Sequence, residues 1–390
     1  MKKIYYIVLI LMAFSFACTD EFQEFNTDKK NPSSIEGEFI FTNAQKELVD
    51  QISNTNVNWN IWKLVVQNWT ETQYTDEANY NIVNRNIPEQ KFTAYYRYVL
   101  KRLDEARRLI DEKPIKAPET EVSKQNKLMI IDLLSVYAYH NLVNIFGDVP
   151  YSEALDVSNI NPKYDDAATI YDDLLTRVDN AISNLDVSSH SFGDADLIYG
   201  GDVALWMKFA NSLKLKLAIN LADVSPGKAQ AHAEAAISGG VFTSAKDNAL
   251  FPYQTSTPNT NELYVDLVQS GRNDFVPANT LINLMAEYQD PRMDYYFDDK
   301  ISVEFPVKNG VKQNDTMLVD FPVLLYYNDG TKSLAQPDSI YDPAAMDSLY
   351  GLVIPQADTA LEPSYYLGGR YGYSNSYPNY SHIDAQIKAP

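Results

Sequence analysis

One segment of this chain, residues 123–146, is apolar on nearly every side of a helix from Leu128 onward, and it limits what the chain can fold into. A helix of this length without a polar face belongs either in a membrane or at the centre of a helical protein. The apolar run is interrupted by four polar residues, Asp132, His140, Asn141 and Asn144. These interruptions favour a central helix that other helices bury on all sides, with His140 as a core residue.

The segments around this helix have the spacing of amphipathic helices. Between residues 166 and 185, apolar side chains recur every three or four positions: Ile170, Leu174, Leu175, Val178, Ala181, Ile182 and Leu185. The next segment repeats the pattern with Trp206, Phe209, Ala210, Leu213, Leu217 and Leu221. Similar signals predict helices at 38–53, 59–72, 88–111, 228–238 and 277–288. Because the helices come in pairs with short connections, we expect a mostly α fold that resembles a helical solenoid.

The character of the chain changes near Asn248. Beyond it come more Pro, Tyr, Asn and Asp, and fewer helical patterns. Asn309-Gly310 and Asn328-Asp329-Gly330 are typical of turns in short β-hairpins. We therefore expect one domain over residues 35–390, in which 35–247 form a helical base and 248–390 form a loop-rich face for a ligand.

The first residues have the pattern of a secretory signal. Two lysines precede an apolar run from residue 4 to residue 17, and Cys18 follows it directly. This pattern predicts a signal peptide at 1–17, lipidation of Cys18, and a polar tether over residues 18–34. The usual lipidation motif has Leu and a small residue where this chain has Ser15 and Phe16. A plain signal peptide followed by an incidental Cys is therefore the alternative.

Composition and motifs argue against several classes of function. The formal net charge is -20, which repels phosphate backbones, so we expect no nucleic-acid partner. A single Cys cannot form an internal disulfide. The sequence lacks the metalloprotease, nucleophile-elbow, phosphate-loop and dinucleotide motifs, and its His residues are scattered. We predict a protein that is not an enzyme and has no cofactor and no metal, although the dense carboxylates leave a surface hydrolase as a remote alternative.

Aromatic residues are abundant, and three of the four Trp residues fall within eleven positions early in the chain. Trp59, Trp62 and Trp69 are followed by Tyr74 and Tyr80, among amide and acidic residues that include Asp76. Aromatic rings beside such polar groups suit the apolar faces and hydroxyl edges of sugars. The spacing of Trp59 and Trp62 is also that of a helical core stripe, which is the simpler interpretation for those two. We therefore take Trp69, Tyr74, Asp76 and Tyr80 as the candidate ligand-binding residues.

Several short motifs, in order along the chain, resemble one family. They are the segments 18–28 (CTDEFQEFNTD), 146–154 (FGDVPYSEA) and 199–218 (YGGDVALWMKFANSLKLKLA), Gly240-Val241-Phe242 before Asp247-Asn248-Ala249, and Asp290-Pro291-Arg292. Together they resemble the SusD/RagB nutrient-binding lipoproteins. The acidic residues after Cys18 also resemble the surface-export signal of Bacteroidetes lipoproteins, with a solvated acidic tether as the alternative.

The resemblance implies a tetratricopeptide-like helical base and a loop-rich ligand face. It implies a surface-exposed outer-membrane lipoprotein that captures a glycan, or in some members a peptide, and delivers it to a SusC-like TonB-dependent transporter without catalysis. The alternative is a lipoprotein scaffold that binds only protein or peptide through its helical repeats. Family members continue with further helices after a segment like 386–390, so we expect this chain to be incomplete at its C-terminus.

Overall fold

The computed structural model describes residues 35–54, 60–71, 73–270, 274–288, 290–292 and 296, together with short strands between 317 and 369. The described part is mostly helical, as predicted. The longer helices are α1 Gly37–Ser53, α4 Lys101–Glu112, α5 Glu121–Phe146, α6 Ala167–Asn184, α7 Val203–Asn220 and α8 Pro226–Gly239. The shorter helices are α2 Trp62–Val65, α3 Ile87–Thr93, α9 Glu262–Tyr264 and α10 Asn279–Glu287.

Helix α5 lies at the centre of the main hydrophobic core. Among the described helices it is the one long and apolar enough to cross a membrane, yet its neighbours bury most of it. Its first turn is closed by Thr120 and Ser123, whose side chains each accept a hydrogen bond from the other's backbone N–H, at 3.0 and 2.8 Å. Gly147, with φ of 75°, follows its last residue. The prediction of a buried central helix is confirmed.

The polar residues that interrupt α5 all have partners inside the protein. Asp132 accepts three hydrogen bonds from Arg177, the shortest at 2.6 Å. His140 is 1% exposed and its Nδ1 lies 3.0 Å from the Tyr171 hydroxyl, which also donates to Asn144 at 2.5 Å. Buried polar groups are tolerated when they are hydrogen-bonded. His140 is therefore a core residue, as expected.

Successive helices pack as neighbours, which is the arrangement expected of helical pairs. Helix α4 contacts α5, α5 contacts α6, α6 contacts α7, and α7 contacts α8, while α1 packs against α4. The predicted helix 88–111 is divided, because a π-helical stretch, Ala94–Leu100, lies between α3 and α4. Helices α6 and α7 are preceded by the N-cap residues Asp166 and Asp202, whose carboxylates accept hydrogen bonds from backbone N–H groups of the first turn.

The strands are short. They are β1 Trp69–Glu71, β2 Val149–Pro150, β3 Tyr164–Asp165, β4 Phe275–Pro277, β5 Met317–Leu318, β6 Val323–Tyr327, β7 Lys332–Ala335, β8 Ile340–Tyr341, β9 Leu349–Pro355 and β10 Tyr365–Gly369. Strands β6 and β7 pair antiparallel, with Tyr326 opposite Lys332, and the predicted turn at 328–330 lies outside the described residues. The strand order in this sheet is β10-β9-β6-β7. The predicted turn at Asn309-Gly310, the signal peptide, Cys18 and the tether lie outside the described residues.

One predicted helix, 59–72, is wrong. Only Trp62–Val65 is helical, and Trp69–Glu71 forms a strand whose register places Trp69 opposite Pro277 and Glu71 opposite Phe275. Gln67, with a left-handed φ of 57°, separates the two elements. The local apolar spacing was compatible with a helix, but pairing with a strand two hundred residues away prevailed, as tertiary contacts often do over propensity.

Candidate functional site

The segment from residue 61 to residue 87 has a small hydrophobic core of its own. Ile61, Leu64 and Ile87 are buried against Leu267 and Phe275. Half-buried side chains surround them: Val65, Trp69, Ile82 and Leu263. This small core joins an early and a late part of the chain, and it supports the loop that carries the predicted site.

Trp69 belongs to this support. Its ring lies against Phe275, with centroids 5.6 Å apart and planes inclined by 48°. The ammonium of Lys63 lies 5.4 Å from the centroid of the Trp69 ring. Burial lowers the pKa of Lys63 to about 8, an effect that Asp266 partly offsets. Trp69 is half-buried, so part of its ring packs against Phe275 and supports the loop. Only the remaining part of the ring is accessible to a ligand.

The two predicted tyrosines lie on the outside. Tyr74 is 70% exposed and Tyr80 is 53% exposed. Trp62, which we interpreted as a core residue, is 43% exposed, so that interpretation is wrong: it lies in the short helix α2, whose buried residue is Leu64. Val66 and Val83 are exposed in the same segment. We call Trp62, Val66, Tyr74, Tyr80 and Val83 the aromatic surface.

The backbone beneath the aromatic surface adopts a rare conformation repeatedly. Gln67, Tyr74, Tyr80 and Asn86 have φ values of 57°, 55°, 62° and 51°. Elsewhere in the described chain, Leu155 is the one other non-glycine residue with positive φ. Left-handed backbone is costly for residues with a Cβ, and such strain concentrates at functional sites. Because two bulky residues, Tyr74 and Tyr80, have this left-handed conformation, contacts around the loop must stabilise it.

Polar contacts within the loop supply that support. Asn81 and Asn84 donate side-chain hydrogen bonds to the two carboxylate oxygens of Asp76, at 3.4 and 3.2 Å. The N–H of Asn81 also donates to the Asp76 carbonyl at 2.8 Å. The structure therefore gives Asp76, a candidate ligand residue, an internal bracing role.

A buried ion pair, not anticipated from the sequence, lies below Tyr74. Glu77 is fully buried, and its carboxylate lies 3.1 Å from Nε of Arg85. The guanidinium of Arg85 also lies 6.0 Å from the centroid of the Tyr74 ring. Arg85 thus connects the buried carboxylate to an exposed aromatic ring. An acidic residue beside a loop arginine is too common a pattern in this chain for the sequence to single out this pair.

Hydrogen bonds through Gln67 connect Tyr80 to Thr280, which lies 213 residues after Gln67 in the chain. The amide of Gln67 donates to the Tyr80 hydroxyl at 3.0 Å, and the hydroxyl of Thr280 donates to the Gln67 carbonyl oxygen at 2.6 Å. The backbone N–H of Ala278 donates to the Asn68 carbonyl at 3.1 Å. Trp62, Tyr74 and Tyr80 are thus all exposed in one segment of the chain, where the Gln67 amide bonds Tyr80, and rings and amides of this kind match the apolar faces and hydroxyl groups of a sugar. Within the described ranges, no group of three His, Cys, Asp or Glu residues is placed to hold a metal ion.

Comparisons with solved structures place the chain among helical relatives. A chitin-binding protein is 25% identical with a TM-score of 0.57, over 70% of this chain and 58% of the relative. A chitin-binding SusD homologue from Flavobacterium johnsoniae is 20% identical with a TM-score of 0.53, over 69% and 56% of the two chains. A SusD-like protein from Bacteroides thetaiotaomicron is 23% identical with a TM-score of 0.51, over 66% and 53%. The chain thus spans less than two thirds of these relatives. No curated protein sequence is significantly similar to it.

A family model described as starch-binding and associating with the outer membrane matches residues 29–315. This match includes the helical base, the aromatic surface and the strand β4 that supports it. The chain therefore belongs to the SusD-like family.

Proposed function

We propose that this protein captures a glycan on the aromatic surface, at the outer membrane, and passes it to a SusC-like TonB-dependent transporter. In this role the protein binds and does not catalyse. Residues 35–247 serve as the helical base, and 248–390 contribute to the ligand face.

The observation that carries the proposal is the exposure of Tyr74 and Tyr80 on a braced, left-handed backbone. The exposed faces of these aromatic rings are not covered by the rest of the protein, so they can stack on a ligand. The hydrogen bonds to Asp76 and Gln67 hold the loop before a ligand arrives. Preorganisation of this kind reduces the entropy lost on binding. The names of the solved relatives support a glycan: two are chitin-binding proteins, and the family description names starch.

A calorimetric titration tests the proposal. The protein is titrated with chito-oligosaccharides and malto-oligosaccharides, and then the titration is repeated with Tyr74→Ala. Loss of one stacking ring is expected to weaken binding by about tenfold, equivalent to about 1.4 kcal/mol. Tyr164→Ala is the matched control, because Tyr164 is 65% exposed on β3, outside the aromatic surface. Equal loss in both variants contradicts the placement of the site, and absence of binding to every glycan contradicts the function.

The membrane attachment has a separate test. We propose that Cys18 becomes lipidated after removal of residues 1–17, which anchors the protein to the outer membrane. Cells fed an alkyne-tagged palmitate are expected to label the wild type, whereas Cys18→Ala is expected to remain unlabelled and leave the membrane fraction. Co-purification of the wild type with a TonB-dependent transporter tests the delivery step.

A second candidate function is a scaffold that binds only protein. Ile219 and Ile237 are more than half exposed on α7 and α8, and Val224 is 79% exposed between them. Exposed apolar side chains on neighbouring helices suit contact with another protein. Saturable binding of an oligosaccharide by the isolated protein contradicts this alternative as the main role.

A further inference from the structure

An apolar cavity of about 350 Å³ lies between α1, α5, α7 and the loop after α8. It shares no residue with the aromatic surface. Its volume lies within the range usual for small-molecule sites, about 300–1,000 Å³. Most of its wall is apolar and includes Leu48, Ile52, Leu134, Phe209, Leu213 and Phe242.

Several large side chains of this wall are only partly covered by the described part of the protein. Ile52, Tyr137, Ile198 and Phe209 pack against the main core, yet each is only half-buried. Phe242 is also half-buried, and its ring centroid lies 6.4 Å from that of Phe209. Removal of such apolar surface from water favours binding. The cavity therefore suits an apolar chain.

Among the described residues that line the cavity, Lys216 of α7 is the one with a charge. The other two lysines of α7 pair with carboxylates, Lys208 with Asp247 at 2.8 Å and Lys214 with Asp179 at 2.6 Å. Lys216 has no carboxylate partner in the described part of the chain. The cavity therefore has a cation at its wall that no acid of the described lining neutralises.

The position of Lys216 relates this charge to the cavity. Its ammonium lies 5.2 Å from the centroid of the Tyr137 ring, which lines the same cavity. Burial, and then the charge of Lys216, lower the pKa of His140 to about 4, so this charge also acts on groups inside the core. Because Lys216 is exposed, it lies at the solvent end of the cavity.

We propose that this cavity binds a linear fatty carboxylate, with the alkyl chain among the apolar side chains and the carboxylate at Lys216. The other polar residues of the described lining, Ser212 and Asn248, are uncharged and do not repel an anion. Solvent screens an ion pair at an exposed lysine, so its contribution is modest. The alkyl chain therefore supplies most of the affinity, and Lys216 supplies the preference for an anion.

Calorimetric titration with octanoate and decanoate, below the concentrations at which they form micelles, tests the proposal. We expect saturable binding of decanoate, about tenfold tighter than that of octanoate, because two further methylenes are buried. Decylammonium has the same chain and the opposite charge. We expect it to bind at least about threefold more weakly than decanoate.

Two variants test the two ends of the cavity separately. Lys216→Glu is expected to reverse the preference, so that decylammonium binds more tightly than decanoate. Ala249→Leu enlarges a side chain of the cavity wall, so we expect at least about tenfold weaker decanoate binding without a lower melting temperature. Lys228→Gln is the matched control for charge, since Lys228 is exposed on α8 and does not line the cavity. It is expected to leave decanoate binding unchanged.

Any of four results overturns the proposal: no decanoate binding by the folded protein, equal affinity for octanoate and decanoate, a preference for decanoate that persists in Lys216→Glu, or unchanged binding in Ala249→Leu. The test is independent of the proposed function. Tyr74→Ala is expected to leave decanoate binding unchanged, whereas Ala249→Leu is expected to leave oligosaccharide binding on the aromatic surface unchanged.

Discussion

The core around α5 and the small core beneath the aromatic surface are built in different ways. The first surrounds a long helix with the apolar faces of α1, α4, α6 and α7, and three of its helices, α5, α6 and α7, begin with hydrogen-bonded caps. The second has buried residues from short elements only, and four left-handed non-glycine residues lie within its loop.

The two regions differ in how much apolar surface they bury, and therefore in what they contribute to stability. Burial of apolar area stabilises the helical base, at about 25 cal/mol per Å². The loop instead keeps its largest rings in solvent and holds a strained backbone by polar contacts. We infer that the base supplies the free energy of folding that allows the loop to remain exposed and ordered.

The largest expected difference in stability comes from replacing a Trp with Ala in each of the two regions. Trp206 is fully buried and its indole N–H donates to Asp196 at 2.7 Å. Trp206→Ala is expected to lower the free energy of unfolding by about 4 kcal/mol, because it leaves a cavity and removes the hydrogen bond from the indole to Asp196. Trp62→Ala, at an exposed position, is expected to cost less than about 1 kcal/mol. Urea denaturation measures both, and similar losses would contradict the contrast between the two cores.

A second contrast uses pH, because His140 is a buried group of the main core. Burial, and then the charge of Lys216, lower the pKa of His140 from 6.5 to about 4. Between these two values the unfolded chain binds a proton that the folded protein does not, so stability falls as the pH falls from 6.5 to 4. The loss amounts to about 3 kcal/mol at the lower end.

His140→Gln removes this titration and is the comparison for it. Denaturation at several pH values is expected to show a smaller loss of stability between pH 6.5 and 4 for the variant. An identical pH dependence in both proteins would show that other groups cause the acid sensitivity.

Glycine is expected to have opposite effects in the two regions. Ala138→Gly in α5 is expected to destabilise the protein by about 1 kcal/mol, because glycine gains more freedom on unfolding. At Tyr74, where φ is 55°, we expect the Gly variant to be more stable than the Ala variant by about 1 kcal/mol. Both Tyr74 variants lack the ring, so both are expected to bind glycan weakly. Thermal denaturation measures the difference, and the same sign at both positions would argue against strain in the loop.

The smallest expected effect concerns the bond between Tyr80 and Gln67. Tyr80→Phe keeps the ring and removes two exposed hydrogen bonds, one of 3.0 Å from Gln67 and one of 3.4 Å to the Val65 carbonyl, so we expect a loss of about 0.5 kcal/mol in stability. Glycan binding is expected to weaken less than it does in Tyr80→Ala. If the two variants bind equally poorly, the hydroxyl and not the ring makes the important contact.

The predictions from the sequence were most accurate in the helical base. The start and end of α1, α5 and α6 agree with the apolar spacing to within a few residues. Regular elements with a buried face leave this signal because burial repeats with the helical period. The same signal failed at 59–72, where it came from a short helix followed by a strand.

The candidate site could be predicted only in part. Aromatic abundance pointed to Tyr74 and Tyr80, and both are exposed. Asp76 braces the loop and Trp69 supports it, roles that their residue types do not reveal. Glu77 and Arg85, which pair beneath Tyr74, left no distinctive pattern in so acidic a chain.

Sequence alone determined that the chain builds a helical base around one central apolar helix, because apolar periodicity is a local property that needs no knowledge of distant residues. Only the tertiary structure decided which aromatic residues face solvent. That choice depends on β1 pairing with β4 and on Phe275 lying under Trp69, contacts between residues about two hundred positions apart. Such distant contacts determine which side chains are exposed and where the backbone is strained, so a local sequence pattern could not predict either.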